Sequence, residues 1–160
     1  MDNNALFGLS ALMGLVVSSL VAKLYVWPRV RTMDRNDAVR VLAAPHMFRF
    51  IGLSFLVPGV VSPSLPSAFA LMTAYGDFIA CLLAIASTLA LSKRASWAIA
   101  LVWVFNVWGT CDLLNAGIQG PRTGMDPGAL GAAFYIPTVI VPALVVTHVL
   151  IFMLLIRRKS

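Results

Sequence analysis

Five long apolar stretches dominate the pattern of hydrophobic and polar positions along the chain. Each is long enough for a membrane-spanning helix, which needs roughly 20 mainly apolar residues. They cover about residues 5–27, 41–61, 67–91, 95–117 and 133–156. The pattern therefore predicts an all-α membrane protein: a bundle of about five transmembrane helices that forms a single domain over residues 1–160.

The positive charges predict how these helices are oriented. Lys and Arg are enriched in the cytoplasmic loops of membrane proteins. Three basic clusters lie at ends of the predicted spans: in the 28–40 loop, at Lys93–Arg94, and in the C-terminal tail from Arg157 to Lys159. The other two connections, 62–66 and 118–132, carry one cation between them, Arg122. We therefore expect the N-terminus outside and the C-terminus in the cytoplasm.

The composition agrees with a membrane protein and argues against other classes. The chain is 60% hydrophobic and 11% charged, with a mean hydropathy of +0.90, whereas soluble domains have about 25% charged residues. The net charge of +6 would favour nucleic-acid binding in a soluble protein, but these cations lie mostly at span ends, so no nucleic-acid partner is expected. Cys81 and Cys111 both fall inside spans, which argues against a disulfide framework.

Small residues recur at four-residue spacing along spans one and three. Such stripes let helices approach closely, and in lipid this close packing is what holds helices together. The positions are Ser10, Gly14, Ser18 and Ala22 in span one, and Gly76, Ala80, Ala84 and Thr88 in span three. We expect these grooves to pack within one bundle. The alternative is a homo-oligomer or another membrane partner bound through them, in addition to the surrounding lipid.

Several polar residues lie inside the predicted spans. A charge at the centre of a bilayer opposes insertion by roughly 2.5–3.5 kcal/mol, so such residues usually face a bundle interior. The candidate ligand-binding residues are Arg49, Asp77, Asn106, Asp112, His148 and His46. Asp77 is near the middle of span three, and we expect it to contact a polar residue of another span. Arg49 is the first choice of partner and Asn106 the second, although Arg49 is also placed to snorkel towards the cytoplasmic surface.

The other candidates each allow two interpretations. Asn106 is expected either to line the pocket or to link two helices. Asp112 lies near the outer boundary, where it either borders a vestibule or is simply exposed at the interface. His46 follows Pro45, and a proline is favoured in the first turn of a helix. His46 is therefore either buried or at the interface.

His46 and His148 are predicted at the same depth, on spans two and five. Two histidines on facing helices can be the axial ligands of a b-type haem. This haem is an alternative prediction, and no other cofactor or metal site is expected.

The sequence contains no catalytic motif. It has no glutamate and neither the HExxH nor the GxSxG pattern, so a non-enzymatic function is favoured and no catalytic residue is assigned. We expect an intramembrane polar pocket that binds or carries a small molecule or a proton. The alternatives are a non-catalytic accessory subunit of a membrane complex and the haem protein described above.

Three short runs resemble small bacterial membrane proteins: Pro45–Arg49, Ala74–Asp77 and Asn106–Gly109. This resemblance implies the bacterial cytoplasmic (inner) membrane as the location, and it implies no activity. The length and the five spans are similar to those of the tryptophan-rich sensory proteins, which bind porphyrin and cholesterol. The Trp- and Pro-rich motifs of that family are absent, so no residue role is carried over.

Overall fold

The computed structural model describes residues 2–157, so the part of the basic tail at Arg158 and Lys159 lies outside the described residues. Within that range the chain is all-helical and has no β-strand. Five helices are long and apolar enough to cross a membrane, which confirms the predicted number. They are α1 (Asn3–Val30), α2 (Arg35–Leu56), α3 (Ser67–Ser92), α4 (Ala98–Arg122) and α5 (Ile136–Ile156).

The second helix changes its type along its length. The Asp34 carboxylate caps it by accepting a hydrogen bond from the backbone N–H of Asn36 at 3.1 Å. The chain is α-helical over Arg35–Ala43 and then forms a 3₁₀ helix over Ala44–Leu56. The change coincides with Pro45, which has no N–H for an α-helical hydrogen bond. A 3₁₀ helix has three residues per turn, so every third side chain shares one face.

That geometry determines which residues of α2 are buried. The buried residues of its 3₁₀ part follow a strict three-residue spacing: His46, Arg49, Gly52 and Phe55. In an α-helix, residues three apart are rotated progressively around the axis. The 3₁₀ helix therefore places a histidine, an arginine and a glycine in one line that faces the bundle.

The fourth helix is longer than the sequence pattern predicts. It continues through Gly117, Gly120 and Pro121 to Arg122, and a further 3₁₀ segment covers Pro127–Phe134. The Gly/Pro-rich stretch 118–132 is thus mostly helical rather than an open loop. Gly124 and Gly131 have positive φ values, and they lie where the chain departs from helical geometry.

The five helices pack as one bundle. Helix α3 contacts α2 and α4, α5 contacts α2 and α4 as well, and α1 packs on α5. Gly14 makes the α1 contact possible, because a Cβ there would overlap the Thr138 carbonyl oxygen and lie 3.1 Å from Pro142 Cγ. The small-residue stripe of span one therefore packs inside this chain. Binding of a partner through that groove stays a prediction.

Two apolar cores fill the two ends of the bundle. The core at the end with the basic residues includes Leu42, Leu91, Phe105 and Ile151. The core at the opposite end includes Phe55, Phe69, Leu130 and Ile136. Many large apolar side chains elsewhere are exposed, and α1 has no buried residue between Asn3 and Val21. An apolar exterior of this kind is typical of helices that contact lipid.

Candidate functional site

A buried ionic cluster lies between the two apolar cores, with Arg49 at its centre. Arg49 is among the largest fully buried side chains in the described structure. Its Nε donates to Asp77 Oδ1 at 2.7 Å, and its Nη2 donates to Asp112 Oδ2 at 2.5 Å. The predicted pairing of Arg49 with Asp77 is confirmed, and the alternative in which Arg49 snorkels to the surface is wrong.

Asp112 completes this cluster, and the sequence did not identify it as a partner of Arg49. Its side chain is 10% exposed, so it is not an interfacial residue. Arg49 comes from α2, Asp77 from α3 and Asp112 from α4. The planar guanidinium therefore bridges three helices with directional, charge-assisted hydrogen bonds, which are stronger than neutral ones.

Three glycines make room for the side chains of the cluster. A Cβ at Gly52 would lie 2.7 Å from Asp77 Cβ, and one at Gly76 would lie 2.7 Å from Asp112 Cγ. A Cβ at Gly109 would lie 2.6 Å from the His148 ring and 2.9 Å from Arg49 Nη1. These separations are below van der Waals contact. Each glycine thus marks a point where a polar side chain lies directly on a neighbouring backbone.

His148 is held in one orientation by Asn106. The Asn106 Nδ2 donates to the His148 carbonyl oxygen at 3.2 Å, so Asn106 Oδ1 faces His148 Nδ1, 2.7 Å away. Because that amide oxygen can only accept, Nδ1 carries the proton. In the neutral ring, Nε2 is then an acceptor, and it lies 3.4 Å from Arg49 Nη1. Asn106 therefore positions His148 and does not bond to Asp77, contrary to its expected role as second partner.

His46 is fully buried, which excludes the interfacial position that Pro45 suggested. Its Nε2 lies 2.9 Å from Thr147 Oγ1. The Thr147 hydroxyl directs its single hydrogen to the carbonyls of Ala143 and Leu144, so it accepts from His46 Nε2. His46 Nδ1 has no partner among residues 2–157.

The two histidines lie side by side, as their equal depth predicted. Their ring centroids are 4.1 Å apart, with the ring planes at 50°. Axial ligation of a haem by both histidines would require these rings to separate, because they are now in direct contact. The haem alternative stays a prediction. Among residues 2–157 no group of three or more His, Cys, Asp or Glu side chains is placed to hold a metal ion.

A cavity of about 380 Å³ extends from the cluster towards the end of the bundle opposite the basic residues. Its walls are largely apolar and include Phe7, Phe55, Phe69 and Leu130. Asp77, Asp112, Thr73 and Asn4 supply its polar side chains. Thr73 is 7% exposed, and its Oγ1 has no hydrogen-bond partner within the described chain. The cavity is therefore an apolar space with acceptor oxygens concentrated in one region.

Sequence reasoning found the charged residues but missed the groups that position them. Thr147, Thr73 and the three glycines were not among the candidate ligand-binding residues. A signal exists for two of the glycines: Gly76 directly precedes Asp77, and Gly109 is one turn before Asp112. A glycine next to a buried charge within a span indicates close backbone approach.

A family model described as a domain of unknown function (DUF8737) matches residues 6–156. The match covers nearly the whole chain, so the protein belongs to this family. No curated protein and no solved structure matches the chain.

The Gly76→Ala substitution tests the placement of Asp112. The added methyl group would overlap the Asp112 carboxylate, and overpacking of this kind destabilises by about 1–3 kcal/mol. Gly8→Ala is the matched control, because a Cβ at Gly8 meets nothing within 4 Å. We expect thermal unfolding in detergent to show a lower midpoint for Gly76→Ala and an unchanged or higher one for Gly8→Ala. Equal midpoints for Gly76→Ala and the parent protein would contradict the contact.

Proposed function

We propose that this member of the DUF8737 family is a multi-pass membrane protein that binds a small, largely apolar molecule in the cavity beside Arg49. One observation carries the proposal: two carboxylates and an unpaired threonine hydroxyl line the same largely apolar cavity. Small-molecule sites commonly combine apolar walls with a few placed polar groups that orient the ligand.

The chemistry of the cavity indicates the polar part of the ligand. Arg49 engages one oxygen of each carboxylate, which leaves Asp77 Oδ2 and Asp112 Oδ1 available to other donors. Ionised carboxylates only accept hydrogen bonds, so a ligand bound here presents a donor such as a hydroxyl or an amine. Thr73 Oγ1 adds a group that can accept or donate. An anionic ligand would be repelled by the carboxylates.

The distribution of charge supports insertion with the N-terminus outside and the C-terminus in the cytoplasm. Cations lie in or beside the link between α1 and α2 (Arg29, Arg31 and Arg35) and in the link between α3 and α4 (Lys93 and Arg94), whereas the connection 57–66 carries no charge. Under the positive-inside rule the basic end faces the cytoplasm. The cavity then lies in the outer half of the bundle, in the bacterial cytoplasmic membrane.

The location of the cluster also allows the molecule to be carried. Carrier proteins place their binding sites near the middle of the membrane, between helices with irregular geometry. Here the cluster lies between two apolar cores, and α2 is 3₁₀-helical on both sides of Arg49. Transport of a molecule would require that the protein first bind it, so binding is the step to test.

Cysteine labelling tests the orientation. In a background with Cys81 and Cys111 replaced by alanine, Ser64→Cys and Thr32→Cys place single thiols in opposite connections. We expect a membrane-impermeant maleimide to label Ser64→Cys on intact cells and Thr32→Cys only after the membrane is opened. Labelling of Thr32→Cys on intact cells would contradict the orientation without affecting the fold.

Binding of phenylbutanol to the protein in nanodiscs tests the cavity, because this ligand joins an aromatic body to one hydroxyl donor. Calorimetry with protein-free nanodiscs as the blank should detect binding. Ala116→Phe fills the cavity that Ala116 lines, and we expect it to weaken binding at least about tenfold, or 1.4 kcal/mol. Leu114→Phe, on the same helix but 63% exposed, is the control and should bind normally.

Thr73→Val refines the same test. It removes the unpaired hydroxyl at nearly constant volume, so the affinity for phenylbutanol should fall about 2–10-fold, as expected for one net hydrogen bond. Unfolding of the free protein should be unchanged or shifted upwards, because a buried unpaired polar group is unfavourable. If phenylbutanol binds equally to Ala116→Phe and to the parent protein, the proposed site is wrong.

A further inference from the structure

We propose that the ligand of this cavity is an amphipathic organic cation, and that the site releases one proton when the cation binds. This inference rests on the proposed function and specifies both the class of ligand and how the site balances its charge.

The buried cluster contains one permanent cation and two acids. Arg49 carries a single positive charge, and it contacts the carboxyl groups of both Asp77 and Asp112. If both acids are ionised, the sum is one negative charge. The positive charge of one guanidinium therefore cannot neutralise the pair.

Within residues 2–157, the elements around the cluster supply no second cation. On α5, His148 donates from Nδ1 to Asn106 and directs an unprotonated Nε2 to Arg49. On α2, His46 donates from Nε2 to Thr147, and its Nδ1 has no partner within residues 2–157. A proton added there would form a buried donor without an acceptor. Both rings are thus neutral in this arrangement, and the residues of α1 that line the cavity, Asn4, Phe7 and Ala11, carry no charge.

An uncompensated charge in a low-dielectric interior is strongly unfavourable, so a buried site recruits a proton or a counter-ion. In the free protein the proton is shared by the Asp77 and Asp112 carboxyl groups. When an alkylammonium ion enters, its N–H groups replace that proton at the free carboxylate oxygens. The carboxylic acid O–H bond breaks, the proton leaves to water, and the ammonium retains its own protons. The net charge of the cluster is the same before and after the exchange.

The shape of the cavity selects the rest of the ligand. The carboxyl groups contribute to only part of the lining, while Phe55, Phe69 and Leu130 contribute apolar wall. A hydrated metal ion would leave that apolar wall without contacts, whereas an amine with an aromatic or aliphatic body covers it. Burial of each additional methylene adds about 0.8 kcal/mol. The geometry therefore fits a cation with a substantial apolar part.

Proton release on titration with phenylbutylamine tests the exchange directly. An alkylamine has a pKa near that of lysine, about 10.4, and stays protonated around neutral pH. With the full chain in nanodiscs and a pH indicator in weak buffer, we expect about one proton released per amine bound. The dissociation constant should fall about tenfold per unit rise in pH wherever the free site holds its proton. Phenylbutanol, which is neutral, should release none.

Removal of one acid should abolish the exchange. In Asp112→Asn the remaining carboxylate is neutralised by Arg49, so we expect no proton release and an amine affinity lowered at least about tenfold. Asp77→Asn provides a second variant with the same expected loss. Asp37→Asn is the control, because Asp37 pairs with Arg40 on the surface, and it should release one proton as the parent does.

The outcomes separate this inference from the proposed function. Amine binding without proton release, or binding of phenylbutanol but not of the amine, would overturn the exchange and leave the cavity as a binding site. Failure of both ligands to bind would overturn both proposals. Proton release that persists in both Asp112→Asn and Asp77→Asn would also overturn the exchange, because the proton would then come from elsewhere.

Discussion

The contact of one buried guanidinium with two carboxylates is the constraint on which the centre of this protein depends. Arg49 is nearly inaccessible to solvent and bonds to Asp77 and Asp112 on two other helices. A buried charge that lost its partners would destabilise the fold by several kcal/mol. Helices α2, α3 and α4 must therefore approach at a fixed depth and rotation. Gly52 and Gly76 permit that approach, because a side chain at either position would collide with an acid.

The 3₁₀ conformation of α2 is part of the same arrangement. It aligns His46, Arg49 and Gly52 on one face. Helix α2 therefore presents an imidazole ring, a guanidinium group and the glycine backbone to the neighbouring helices. Apolar cores lie on both sides of the cluster, and a low local dielectric strengthens hydrogen bonds. Each acid nevertheless keeps one oxygen outside its bond to Arg49, and both acids line the cavity, which is why a structural ionic cluster can also serve as a binding site.

The sequence predicted the fold well because hydropathy and helix length are coupled directly in a membrane protein. It predicted the Arg49–Asp77 pair because charged residues within membrane spans usually pair with an opposite charge. It did not predict the end of α2, since a 3₁₀ helix rises about 2.0 Å per residue instead of 1.5 Å. The thirteen residues Ala44–Leu56 thus extend about 26 Å rather than about 20 Å, and the helix ends before Pro58.

The site was predicted less completely than the fold, because the roles of its residues depend on rotation between helices. Asn106 was expected near Asp77, but its amide is committed to the backbone and ring of His148. Asp112 was placed near the outer boundary, yet its carboxylate reaches inward to Arg49. The depth of a residue along an ideal helix predicts neither the partner of Asn106 nor the direction of the Asp112 carboxylate. The glycines beside these residues are the sequence feature that would have indicated close packing.

A charge-rescue experiment in detergent tests the central role of Arg49 most directly. Arg49→Met leaves two acids without their cation, and the free energy of unfolding should fall by about 3–5 kcal/mol. Arg40→Met, which breaks an exposed pair with Asp37, should lower it by at most about 1 kcal/mol. The triple variant Arg49→Met/Asp77→Asn/Asp112→Asn should regain most of the lost stability, because no unpaired charge remains. A triple variant no more stable than Arg49→Met, or an Arg49→Met protein as stable as the parent, would contradict the account.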